Sequence, residues 1–111
     1  MQYSLYIGRF QPFHGGHQAI VRRILSEGKN ALIAIRDTAI DTDNPYTSME
    51  RFQYISQFYA DNDRVKVIVI PDILEVCYGR GVGYGIREIR LDASVEKISA
   101  TEIRKTRIRL P

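Results

Sequence analysis

The stretch that decides the fold runs from Tyr3 to His17: Tyr3-Ser4-Leu5-Tyr6-Ile7-Gly8-Arg9-Phe10-Gln11-Pro12-Phe13-His14-Gly15-Gly16-His17. Its first five residues form a short, mostly apolar run that stops at Gly8, which predicts a buried strand. Pro12, Gly15 and Gly16 then break the pattern, so Arg9 to Gly16 reads as a loop. From His17 onward, Ile20, Val21, Ile24 and Leu25 fall on the i, i+3, i+4 stripe of an amphipathic helix, and Gly28 ends it.

Outward from this unit the same alternation repeats. Ala31 to Ile35 is a second continuous apolar run, hence a second buried strand. Arg36 to Tyr46 is polar and long enough for a functional loop. Thr47-Ser48-Met49-Glu50 has the form of a capping box, in which hydroxyl and carboxylate each satisfy a free amide. The helix behind it is predicted to turn Phe52, Ile55, Phe58 and Tyr59 inward. Val65 to Ile70 is a third apolar strand, stopped by Pro71. Apolar strands alternating with amphipathic helices predict an α/β fold, a Rossmann-like three-layer α/β/α sandwich whose mainly parallel sheet is covered on both faces. Its crossovers are expected to be right-handed.

Beyond Pro71 the pattern weakens. Asp72 to Tyr78 has room for a short strand, and Ile86 to Leu91 fits a strand or a helical turn equally. Gly79, Gly81, Gly83 and Gly85 recur at every second position, a spacing that does not match GxGxxG. Ser99-Ala100-Thr101-Glu102 repeats the capping-box pattern and opens a short basic helix through Ile103, Arg104 and Lys105.

Composition bounds the function. With 111 residues, 44% hydrophobic and 26% charged, the chain reads as a single globular domain, residues 1–111, and not as a disordered tail or fibre. No run approaches the ~20 apolar residues of a membrane span. The N-terminus lacks the basic-then-apolar pattern of a signal peptide. The one cysteine, Cys77, has no internal disulfide partner and reads as a small buried residue in a reducing, cytoplasmic setting. The net charge is +3, but residues 1–78 carry −1 and residues 79–111 carry +4. A basic C-terminal third suits a phosphate-bearing ligand, although a solvated positive face would have the same composition. Tyr78 and Tyr84 are the only aromatics near it, too few for a stacking surface, so nucleic acid is not an expected partner.

The chemistry points to Gly8–His17. In a parallel sheet this loop leaves the carboxyl end of a strand, where ligands of open α/β folds collect. The N-terminus of the following helix adds amides and a partial positive charge suited to phosphate. His14 and His17 are the only histidines, and their spacing puts them on one helical face. They could instead serve zinc, but such a site needs at least a third protein ligand, and only the lone Cys77 remains; no protein metal site is expected.

GRFQPFHGGH resembles the HxGH signature of nucleotidyltransferases that share a nucleotide-binding fold with class I aminoacyl-tRNA synthetases. It is most similar to the archaeal-type nicotinamide-mononucleotide adenylyltransferases and their cytidylyltransferase-like relatives. Ile98-Ser99-Ala100-Thr101-Glu102-Ile103-Arg104 resembles the second family motif, ISSTxIR, and the stretch from Asn44 to Arg51 resembles the approach to the second helix. The resemblance implies that His14 and His17 contact the triphosphate and stabilise the transition state. It places Gly16 under the base, and Gly8, Arg9 and Phe10 along the nucleotide and acceptor pocket. Ser99, Thr101 and Arg104 would close over the β- and γ-phosphates. Arg51 is a further candidate for an acceptor or phosphate contact. Arg80 is another, if the glycine-rich segment is more than a turn-rich connection.

The expected reaction is transfer of a nucleoside monophosphate from a triphosphate to a small phosphorylated acceptor. ATP and nicotinamide mononucleotide are the leading pair, with CTP and a non-catalytic nucleotide-binding module as alternatives. Mg2+ would be held mainly by the substrate phosphates. Neither histidine has an adjacent carboxylate and no serine elbow occurs, so positioning and charge stabilisation would carry catalysis. The chain departs from the family pattern between the third strand and the ISSTxIR-like motif. It also ends six residues after Lys105, where relatives continue with a helix. Both leave the acceptor open, and self-association into a homo-oligomer is one way so short a domain covers its core.

Overall fold

The computed structural model describes residues 1–81, 83 and 85–91. Within them the chain runs β1 (Tyr3–Gly8), α1 (Gly15–Ser26), β2 (Asn30–Asp37), α2 (Ser48–Phe58) and β3 (Val65–Pro71). The three strands form one parallel sheet in the order β1-β2-β3, with Tyr3 beside Asn30 and Ala31 beside Val65. Gly8, Asp37 and Pro71 therefore end near the same edge, and the loops after them share one rim of the sheet. This is the parallel α/β, Rossmann-like arrangement that the alternation predicts.

Only β2 is a true core strand. Ala31, Ile33 and Ile35 share one face of it and are closed to solvent, packed with Val21 and Ile24 of α1 and Ile55 of α2. Both helices thus cover the same face. A helical layer on the other face is not among the described residues. β1 and β3, predicted as buried, are only partly so: Leu5 is 55% exposed and Val69 41%. The physical reason is position, since each has a neighbouring strand on one side only within the described sheet.

The helix boundaries follow local chemistry. α1 starts at Gly15, two residues before the first expected helical residue, and ends where Gly28 takes a positive φ of 77° and donates its N–H to the Leu25 carbonyl. Arg64 reinforces that end by donating to the Leu25 and Lys29 carbonyls. α2 has the predicted capping box: Glu50 N–H donates to Thr47 Oγ1 at 3.0 Å and Thr47 N–H to Glu50 Oε1 at 3.1 Å. Its inward face is narrower than expected. Ile55 is buried and Phe52 and Tyr59 partly so, but Phe58 is 49% exposed and meets Phe13 of the core by an edge contact.

Residues 72–78 form no strand, and 86–91 neither strand nor helix. Cys77 lies in the first of these stretches and is exposed, not buried; its Sγ sits 3.5 Å from Glu75 Oε1. Glu27, at the end of α1, tethers Arg87 by a bidentate ion pair. No helix of the described residues is long and apolar enough to cross a membrane.

Candidate active site

The loop between β1 and α1 is built on its aromatic residues. Phe10 has a φ of 53°, a left-handed conformation that is rare for a bulky side chain. Its ring is buried and folds back over Gly8, where a Cβ would lie 2.7 Å from Phe10 Cε1. The absence of a side chain at Gly8 is therefore what lets the ring sit there. Phe10 in turn meets Tyr6, Phe13 and His17 edge-on, at centroid distances of 5.3, 5.5 and 4.9 Å. Phe13 stacks on the same His17 ring at 5.5 Å. His17 is thus wedged between two phenyl rings that the loop holds in place.

His14 is the N-cap of α1, in extended conformation, and His17 is its third helical residue. The two imidazoles stack with centroids 3.8 Å apart and planes 25° from parallel. His14 Nδ1 accepts the N–H of Gly16 at 3.0 Å, and His17 Nδ1 accepts the N–H of His14, also at 3.0 Å. The pair is a capping box made of histidines, a role usually given to Ser, Thr or Asp with Glu. It changes one expectation. The Gly16 amide, one of the first-turn amides expected to face a phosphate, is instead taken by His14 Nδ1. Burial, and then the neighbouring His14, push the His17 imidazole down to about 3. Burial lowers His14 as well.

Arg9 leaves the carboxyl end of β1 with an exposed side chain and donates from Nη1 to Asn44 Oδ1 at 3.2 Å. Asn44 is held by Asp41, whose Oδ1 accepts from Asn44 Nδ2 at 3.0 Å and from the amides of Asp43 and Asn44. These bonds, the Asn44 side chain foremost, hold the Asp41 carboxyl below the usual carboxylate range. Arg36, at the end of β2, ion-pairs with Asp72 just after β3.

Two further residues join the rim together. Gln11 is 1% exposed; its Nε2 donates to Thr38 Oγ1 and to the Tyr46 carbonyl, and its Oε1 accepts the Tyr46 N–H at 3.0 Å. Arg51 is closed to solvent. Its Nη1 donates to the Arg9 carbonyl at 2.6 Å and the Arg36 carbonyl at 2.7 Å, and its Nε to the Thr47 carbonyl at 3.1 Å. Nη2 is also buried and has no hydrogen-bond partner among the described residues. Arg51 therefore lies beneath the rim with two of its nitrogens committed to backbone, which makes it a tie between loops. Burial lowers its pKa, with Asp37, Asp72 and Glu50 acting against that.

The cytidylyltransferase-like family profile matches residues 5–95. The chain belongs to the cytidylyltransferase-like family. Among proteins of known name it is similar to the nicotinamide-nucleotide adenylyltransferase of Methanosphaerula palustris, 38% identical over 73 residues, which cover 63% of this chain and 44% of that protein. It is 49% identical over 53 residues to the protein of the same name from Thermoplasma acidophilum, covering 46% of this chain and 30% of the other. This family member thus spans less than half the length of those relatives. Among solved structures it is similar to a bifunctional NMN adenylyltransferase/ADP ribose pyrophosphatase from Francisella tularensis, solved with AMP and a Mn ion. The TM-score is 0.56 at 30% identity, over 64% of this chain and 23% of that one. The fold of NadR protein, solved with NAD and AMP-PNP, matches with the same TM-score at 24% identity over 63% of this chain and 20% of that one.

Of the candidate residues read from the sequence, Gly8, Arg9, Phe10, His14, Gly16 and His17 lie between the end of β1 and the first turn of α1. Gly16 is buried in the first turn of α1. Arg80 is exposed in a turn and makes no hydrogen bond or ion pair among the described residues. Ser99, Thr101 and Arg104 lie outside the described residues. Gln11 is the loop-tying residue that sequence reasoning passed over; its only signal was its place inside GRFQPFHGGH.

Proposed function

We propose that this protein transfers AMP from ATP to a small phosphorylated acceptor, with nicotinamide mononucleotide as the leading one. The observation that carries the reading is the stacked His14–His17 pair at the start of α1, at the end of the loop that Arg9 opens on the carboxyl rim of a parallel sheet. The names of the relatives supply the base and the acceptor. An oxygen of the acceptor phosphate attacks the α-phosphorus, the bond from that phosphorus to the β-phosphate bridging oxygen breaks, and pyrophosphate leaves. The acceptor needs no general base, because a phosphate monoester is already nearly dianionic near neutral pH. The imidazoles and Arg9 supply hydrogen bonds and charge where the α-phosphoryl group becomes crowded with negative oxygen. Gly16, Gly8 and Phe10 shape the nucleotide side. Ser99, Thr101 and Arg104 are proposed to close over the β- and γ-phosphates, with Arg80 a further phosphate ligand.

Mg2+ fits this reading as an ion carried by the triphosphate, where it neutralises charge. Among the described residues no three His, Cys, Asp or Glu side chains are grouped to hold a metal themselves. A cytoplasmic protein with nucleotide substrates, and no nucleic acid or membrane partner, completes the proposal; self-association is left to a direct test of oligomeric state.

The test is pyrophosphate release with Mg2+, ATP or CTP, and a panel of phosphorylated acceptors that includes nicotinamide mononucleotide. Release with ATP and nicotinamide mononucleotide supports the reading in full. Release only with CTP overturns the choice of base, which the family name keeps in play. ATP binding without release under any acceptor overturns the enzyme in favour of a nucleotide-binding module.

A further inference from the structure

We infer that backbone amides lock both His14 and His17 as Nε2–H tautomers, so that the site presents two uncharged N–H donors in place of imidazolium ions. The phosphate-directed consequence rests on the function proposed above; the tautomers themselves do not.

The argument is one of donor and acceptor identity. A neutral imidazole carries one N–H and one lone pair, and an imidazolium carries two N–H groups and no lone pair. Gly16 N–H points at His14 Nδ1 and His14 N–H points at His17 Nδ1, each at 3.0 Å. A backbone N–H can only donate. Both Nδ1 atoms must therefore hold lone pairs, which leaves the proton of each ring on Nε2. Protonating either Nδ1 would set N–H against N–H and break the cap of α1.

The surroundings favour the same state. The rings lie 3.8 Å apart, a separation at which two imidazolium ions would repel. β1 presents Tyr6 to His17, and the loop presents Phe10 and Phe13; from α2 and its C-cap, Ile55, Phe58 and Tyr59 pack into the same aromatic and aliphatic cluster. Among the described residues no carboxylate hydrogen-bonds or ion-pairs with either imidazole.

The rings then act as relays. Each takes a backbone N–H on Nδ1 and offers an N–H on Nε2, and hydrogen bonds in such a chain polarise one another. His14 N–H feeds His17, while the Gly16 N–H feeds His14, so the polarity of the helix start is carried outward through side chains. Formal positive charge at the rim comes from arginines, the exposed Arg9 and the buried Arg51 beneath it. A direct consequence is that the donors persist as pH rises through the range in which an ordinary histidine loses its charge.

The test uses the full chain with 15N-labelled histidine. At pH 7, ring nitrogen–carbon-bound-proton correlations are expected to show the Nε2–H pattern for both histidines. An Nδ1–H or imidazolium pattern at either residue overturns the inference, whatever the activity. A second arm separates the two ends of the ring. His17→Asn keeps an acceptor near the place of Nδ1 but removes the Nε2–H donor. It is expected to keep its thermal midpoint close to that of the parent while pyrophosphate release falls about a hundredfold, the scale of a lost transition-state donor. Retention of turnover in that folded variant overturns the relay. Nε2–H patterns in a parent protein that turns over no nucleotide would instead uphold the tautomers and remove the proposed function.

Discussion

The guanidinium of Arg51 donates to the carbonyl of Arg9 at 2.6 Å, although the two residues are 42 positions apart in the chain. The same nitrogen reaches the Arg36 carbonyl, so one side chain of α2 fixes the carboxyl ends of β1 and β2 against each other. Parallel strands end in carbonyls that no neighbouring strand completes at the rim, and a buried cation with several donors meets that need. Arg51→Met removes the donors and leaves at least the Arg9 and Arg36 carbonyls without this partner. The expected loss is about 3 kcal/mol, or a thermal midpoint lower by ~10–20 °C. Arg51→Lys, which keeps the charge but not the fork, is expected to recover only part of it. A midpoint unchanged in the methionine variant would show that the tie contributes nothing to stability.

Gly8 is the second place where a single atom matters. A Cβ there would overlap the Phe10 ring, and that ring cannot swing away without disturbing Tyr6, Phe13 and His17. Gly8→Ala is expected to cost about 1–3 kcal/mol as an overpacked core does. It should also lower pyrophosphate release by ten- to a hundredfold, because displacement of a positioning group by about 1 Å has effects of that size. Stability and turnover measured on one preparation check both. Full turnover in a folded variant would mean that Phe10 does not set the place of His17.

Much of this arrangement was legible in the sequence because its signals are local. The apolar runs at Tyr3–Ile7, Ala31–Ile35 and Val65–Ile70 became the three strands, and Thr47 with Glu50 made the capping box their spacing predicts. The roles of Gln11 and Arg51 were not legible in the same way. Their types are those of surface residues, and the carbonyls that bury them come together only when the strand ends and loops are assembled. The histidine capping box was missed for a related reason: histidine is uncommon as an N-cap, so the pattern at His14 and His17 read as ligand chemistry alone. Phe58 and Cys77 show the opposite failure. Apolar or small residues read as buried, yet the chain places no element over them among the described residues.

The lowered histidine pKa values predict how stability depends on pH. An unfolded His17 titrates near 6.5 and the folded one near 3, so the unfolded chain binds more protons between those values. Stability from the neutral ring is therefore fully present above about pH 6.5 and is lost as pH falls toward the folded value. Asp41 and Glu27, both lowered in the fold, lose their contribution only below the ordinary carboxylate range. The window from pH 6.5 to 5 thus isolates the histidines. The urea midpoint is expected to fall across it in the parent and to fall less in His17→Asn. Equal slopes in the two proteins would remove His17 as the source.

Gln11 carries the last prediction. Its carboxamide holds both the N–H and the carbonyl of Tyr46 and also reaches Thr38, so it clasps both ends of the loop between β2 and α2 to the loop that bears the histidines. That loop includes Asn44, the partner of Arg9. Gln11→Glu retains the oxygen facing the Tyr46 N–H but turns the donor facing the Tyr46 carbonyl into an acceptor. Two oxygens then oppose each other in a buried place, at a cost of about 1–3 kcal/mol for an unmatched polar group. The loop should open more often, so amide exchange at residues 38–46 is expected to accelerate while the amides of β2 and α1 keep their protection. Arg9, with its partner loosened, should hold the reacting phosphoryl group less well, which lowers kcat and kcat/KM together. Uniform acceleration across the whole domain would instead make Gln11 a general core residue, and unchanged exchange in the loop would show that the clasp at Tyr46 does not hold it.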